Sequence, residues 1–149
     1  MKQFHVLTTI ILITVVLSLP IQANAEVNRT LKKADSDLYP DMLLLLLLPQ
    51  IQEAVNSYYS KILKVEPVVY PYEIEIVKAE RIDQNPNNRG YDFLLTLEVQ
   101  PVIGPHIAVG QDRMTLEISP LITNIVKITS YQHVHTNQLP LNWQHLLLR

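Results

Sequence analysis

Residues 42–48 are seven apolar residues in a row, and the pattern that continues beyond them fixes how they must be used. Leu44, Leu47, Leu48, Ile51, Ala54, Val55, Tyr58, Tyr59, Ile62 and Leu63 recur at steps of three and four. Gln52, Glu53, Asn56, Ser57, Ser60 and Lys61 occupy the opposite side. This spacing predicts a long amphipathic helix. Ser36-Asp37 are good starters for it, and Pro40 is tolerated in the first turn. Pro49 lies inside the pattern and cannot donate to the Leu45 carbonyl, so either a kink or two abutting helices are expected at Leu48-Pro49. Leu43, Leu45 and Leu46 fall off the stripe. Burial on more than one side is the expectation for them, with an exposed patch for a partner or lipid as the alternative.

Beyond Leu63 the period changes. Pro67 and Pro71 bar a helix and mark an extended link. Four strand-like stretches come next: residues 72–82, 91–102, 113–118 and 124–133. In the second, Phe93, Leu95, Leu97 and Val99 alternate with polar neighbours; Met114, Leu116 and Ile118, then Val126 and Ile128, do the same. The alternation slips near Val77-Lys78, where a bulge fits. Residues 83–90 form a turn by composition. Successive strands with short turns predict an antiparallel meander, wet on one face and covered by the kinked helix on the other. The expected class is α+β in two layers, with a likeness to cystatin-like and NTF2-like wraps. Leu139, Leu141, Trp143, Leu146, Leu147 and Leu148 predict a short C-terminal helix that docks on the body, over the spare leucines.

The first 25 residues read as a secretory signal: Lys2, an apolar run over residues 4–19, and Ala23-Asn24-Ala25 before the expected cut. An uncleaved anchor is the alternative, and would be the protein's only membrane attachment; the run is short for a span. Residues 26–35 are polar and without apolar period, so they are expected to form a flexible leader to a single domain over residues 36–149. The chain has no cysteine, which excludes disulfides, thiol nucleophiles and thiolate metal sites. Net charge is −2 and the basic residues are scattered, which argues against a nucleic-acid partner.

Three stretches carry a family resemblance. One runs from Ser36-Asp37-Leu38-Tyr39 through the leucines to Leu48-Pro49-Gln50-Ile51 and Tyr58-Tyr59; another is Pro71-Tyr72-Glu73-Ile74. The most specific runs from Pro101 through Gly104-Pro105-His106 and Val109-Gly110-Gln111-Asp112 to Thr115. In these the chain resembles a family of short exported proteins from Bacillus-like bacteria, catalogued as domain of unknown function 3888. The resemblance implies export, one domain and a Gram-positive envelope or secreted setting. It implies no activity and no catalytic residues.

Chemistry-bearing residues are few. Gly104 and Gly110, two of only three glycines, bracket a loop that holds His106 and ends at Asp112. A histidine near a carboxylate can serve as general base, whereas an aspartate in a turn more often caps backbone amides. His133 and His135 alternate along one strand and would share a face, as a metal pair would, but no characteristic third ligand accompanies them. Glu73 and Glu75 would share a wet strand face. Tyr58 and Tyr59, among seven tyrosines, could line a cup between helix and sheet. Gly104, Pro105, His106, Gly110, Asp112, Tyr58 and Tyr59 are therefore the candidate binding residues. The residues favour a non-catalytic extracytoplasmic module that binds an envelope protein, peptide or small apolar ligand, without a cofactor. The alternatives are a small hydrolase or proton-transfer enzyme using His106 and Asp112, and an inhibitor that presents the 104–110 loop to a protease.

Overall fold

A computed structural model describes residues 23–85 and 89–148, with side chains from residue 37 on. Most of the expected signal segment lies outside the described residues. The chain divides into two compact units, Met1–Pro40 and Asp41–Arg149. The described part of the first is helical throughout. That includes residues 26–35, expected to form a flexible leader; they contain neither glycine nor proline, and Leu31, Lys32, Lys33 and Ala34 are good helix formers.

The helix α1 (Ala23–Tyr59) runs without interruption through Pro40 and Pro49. The kink expected at Leu48-Pro49 is absent, and so is a second helix. The physical reason lies in where Pro49 sits. It is on the exposed side, where the carbonyl it leaves unbonded can turn to water. On the opposite side Leu47 and Ile51 are buried and hold both halves to one core. No helix among the described residues is long and apolar enough to cross a membrane.

The second unit is α+β. Its strands are β1 (Ile74–Arg81), β2 (Phe93–Val99), β3 (Val102–Ile103), β4 (Ile107–Ala108), β5 (Gly110–Ile118) and β6 (Val126–Thr136). Four of them form an antiparallel sheet in the order β1-β2-β5-β6. This is the expected meander, and the slip near Val77 is a register shift between Ile76 and Lys78. The covered face follows the two-residue period: Ile74, Leu95, Leu97, Val99, Met114 and Leu116 are buried in one cluster with Leu44, Leu47, Ile51, Val55 and Tyr59 of α1. Gln52, assigned to the solvent side by period alone, ties the extended link to the helix. Its Oε1 accepts from the Val69 N–H at 2.9 Å, and its Nε2 donates to the Pro67 carbonyl at 2.8 Å.

The loop expected between Gly104 and Asp112 is instead the middle of a second small sheet with the residues before it: β3 pairs with β4 across a turn at Gly104, Pro105 and His106, and β5 begins at Gly110. The C-terminal helix is a 3-10 turn, Leu141–Leu146, rather than an α-helix. It does not cover the spare leucines. The Lys64 N–H donates to the Leu146 carbonyl and the Leu148 N–H to the Ile62 carbonyl, both at 2.8 Å, and the Trp143 ring lies against Gly104. Gly104 has φ +50°, and a Cβ there would run into the indole. Gly104→Ala is therefore expected to lower unfolding stability by about 2–4 kcal/mol through backbone strain and overpacking together. Gly90→Ala, whose added Cβ meets only ordinary contacts, should be nearly neutral; paired denaturant titrations check the difference.

Candidate functional site

β5 buries every second residue, and counting back from Leu116 and Met114 along that period reaches Asp112. The carboxylate thus occupies a core-facing position that would ordinarily be apolar, and it is fully buried, at 0% exposure. Its neighbours across the sheet are Val99 on β2 and His133 on β6. A buried ionised group is costly unless it is paired and hydrogen-bonded. His133 supplies the pair: its Nδ1 lies 2.7 Å from Asp112 Oδ1. The other ring nitrogen, Nε2, lies 2.6 Å from Thr136 Oγ1. Carboxylate, imidazole and hydroxyl form one continuous chain from the core to the exposed end of β6.

Two bulges set this register: Leu116 is opposite Ile128 but Thr115 is opposite Ser130, so an extra residue, Thr129, brings His133 opposite Asp112, and a second bulge follows. Asp112 is opposite His133, while Gln111 is opposite His135, so Val134 is an extra residue in β6. Successive residues of β5 point to opposite faces, and cross-strand partners share a face. His133 therefore faces the core and His135 the wet side, contrary to the shared face expected from their spacing. Among the described residues no group of His, Asp and Glu is arranged to hold a metal ion.

Aromatic rings enclose the pair. Tyr58 stacks on His133 with centroids 5.0 Å apart and on Tyr131 at 5.3 Å, and Tyr59 meets His133 edge-on at 6.0 Å. The hydroxyls of Tyr59 and Tyr131, like Asp112 Oδ2, are buried without an aligned hydrogen-bond partner. Burial first, and then the charge of Asp112, push both hydroxyls well above the usual 10.0, so they stay protonated. Gly110 makes room for the arrangement: a Cβ there would lie 2.5 Å from the His135 carbonyl oxygen, 2.6 Å from the Tyr59 hydroxyl and 2.9 Å from His133 Cε1.

Of the sequence candidates, Asp112, Gly110, Tyr58 and Tyr59 come together here, with His133 from the expected metal pair. His106 does not join them. It sits at the β3–β4 turn with φ 59°, tilted against Tyr70 at 5.0 Å, with Nδ1 3.3 Å from the Tyr72 hydroxyl. Gly104 and Pro105 belong to that same exposed turn. Glu73 lies in a 3-10 turn beside Gln100, and Glu75 is on β1 opposite Glu98. Thr136 and Tyr131 escaped the sequence reading. The only signal for them was the inward period of β6, which the bulges interrupt.

The tyrosines carry a pH dependence with a definite sign. Below pH 10 they are protonated in both folded and unfolded chains; above it only the unfolded chain releases the proton readily, so unfolding is favoured as pH rises. Stability measured by denaturant titration should fall above pH 10, less steeply in Tyr59→Phe and Tyr131→Phe. Gly110→Ala should displace the His133 ring and cost about 1–3 kcal/mol, visible as moved imidazole resonances in an NMR spectrum.

Over residues 39–135 the chain matches the family described as Protein of unknown function (DUF3888), and it belongs to that family. The matched region takes in α1 from Tyr39, the whole sheet up to His135, and both Asp112 and His133. No curated protein and no solved structure matches the chain.

Proposed function

We propose that this member of the DUF3888 family is an extracytoplasmic binding module that docks an envelope protein on the outer face of α1. The observation that carries the reading is a second apolar face on that helix. Met42, Leu45, Leu46 and Pro49 are spaced at i, i+3, i+4 and i+7, and all are exposed, the first three at 52%, 61% and 73%. Leu43 packs on the core, but the burial expected for Leu45 and Leu46 does not occur. A contiguous apolar stripe left in water marks an interaction surface. Its spacing is that of a helix presented to a groove or to a second helix.

Export supports the setting: the apolar run and Ala23-Asn24-Ala25 read as a Sec-type signal, cleaved after Ala25, and the cysteine-free chain folds without disulfides. A cystatin-like or NTF2-like wrap belongs to the same reading, since α1 and one sheet face share a core. An enzyme working through His106 and Asp112 has less support, because Asp112 is engaged by His133 and His106 by Tyr72.

A photo-crosslinking residue placed at Leu45 in the producing cell tests the proposal. It should trap one defined envelope protein, and Leu46→Glu should reduce that adduct at least tenfold without changing the circular dichroism spectrum. If position 45 traps no more than the same crosslinker at Glu53, the helix face is not a docking site.

A further inference from the structure

We propose that Thr136 is a nucleophilic hydroxyl, activated by His133 and Asp112, through which the protein hydrolyses small activated carboxylic esters. An ionised carboxylate only accepts hydrogen bonds, so the 2.7 Å contact with Asp112 Oδ1 places the imidazole proton on Nδ1. Nε2 is then the acceptor, and at 2.6 Å it takes its hydrogen bond from the Thr136 hydroxyl. This is the arrangement an activated hydroxyl requires: a nucleophile in reach of a base, and the base oriented by a third group. The roles are graded by burial. Asp112 is sealed from water, His133 is partly covered, and Thr136 is open to solvent.

The surroundings hold the base in place. Tyr58 stacks on the ring of His133, and Tyr59 meets it edge-on. The missing side chain of Gly110 leaves the space that Cε1 needs. The Tyr59 and Tyr131 hydroxyls beside Asp112 remain protonated, so they can stabilise its charge and do not compete as bases. An oxyanion donor is also at hand. β6 is the edge strand of the sheet, and the Asn137 N–H turns inward to the Val109 carbonyl at 3.0 Å. Amides alternate in direction along a strand, so the N–H of Thr136 itself turns outward, to the open edge.

In the reaction, Thr136 Oγ1 bonds to the ester carbonyl carbon while its proton passes to His133 Nε2. The carbon–oxygen bond to the leaving alcohol then breaks, and the alcohol departs with that proton. Water attacks the acyl-threonine, giving a proton to His133, and the carboxylic acid leaves as Thr136 recovers its hydrogen. Because Thr136 stands exposed at the end of the sheet, the site suits small esters arriving from solvent.

The test is turnover of p-nitrophenyl acetate by the full chain, with mass spectrometry of the acylated protein. An acetyl adduct on Thr136 is expected, together with a rate that falls at least 100-fold in Thr136→Ala, an exposed substitution that leaves the fold intact, and survives in Thr136→Ser. His133→Gln should abolish adduct and turnover together. Asp112 is a positioning residue, so Asp112→Asn should lower kcat while KM holds. If Thr136→Ala hydrolyses the ester as fast as the natural chain, or the adduct maps to another residue, the proposal is overturned.

Discussion

The seam between α1 and the sheet holds the second unit together. Leu47, Ile51, Val55 and Tyr59 repeat every four residues along one side of the helix, and Leu97, Val99, Met114 and Leu116 cover one side of the sheet. Among the described residues neither surface has another partner large enough to bury it. The opposite sheet face is polar, with Arg113 and Gln111 bonding to Glu98 across the strands. Each inward aliphatic side chain in such a seam contributes roughly 1.5–3 kcal/mol on leaving water. The long extended link and the C-terminal turn then close over the edges of a core that already exists.

Asp112 lies at one end of that seam, where another apolar residue would have been the simpler choice. A carboxylate there loses its hydration, and the loss is offset only because His133 meets it on the same face. That meeting depends on the register shift at Thr129, the extra residue between Ile128 and Ser130 of β6. With the pairing that starts at the β5–β6 turn continued unbroken, the residue opposite Asp112 would be Gln132 rather than His133, and the charge would lose its imidazole partner. Breaking a buried pair by removing one partner typically costs about 3–5 kcal/mol. The bulge, Gly110 and the two ring-bearing residues at the end of α1 therefore form one device, since none of them is explained by packing alone.

What could be read from the sequence was what depends on local period. The alternation of Phe93, Leu95, Leu97 and Val99 identified a strand and its inner face, and the stripe from Leu44 to Tyr59 identified the helix. The slip at Val77 was visible because it broke a pattern already established. The site was less legible, because it depends on register between strands. His133 and His135 are two apart and share a face in any regular strand; only the pairing with β5 reveals the extra residue between them. Asp112 was noticed for its neighbouring glycines rather than for its inward position, although the two-residue step from Met114 carried that information. The β3–β4 pair was hidden for a different reason: two-residue strands have no period to detect. Exposure of Leu45 and Leu46 was misjudged because composition cannot say how many sides of a helix the rest of the chain covers.

The helix joins two features that remain mechanically separate. Its outward side carries Met42, Leu45, Leu46 and Pro49; its inward side ends in Tyr58 and Tyr59, against His133. Between them Ile51 and Val55 are fully buried, at 0% exposure. A close-packed interior does not deform continuously, so a load on the outer face cannot slide the tyrosines without expelling these two side chains from their places. A partner bound at Leu45 and Leu46 would thus leave the Asp112–His133–Thr136 chain as it stands. The converse holds as well, because Thr136 lies on an edge strand and its exposed hydroxyl bonds only to His133, away from Leu45 and Leu46. The proposed docking and the proposed hydroxyl chemistry would then each be alterable by substitution without disturbing the other, which is what a rigid rod carrying both would permit.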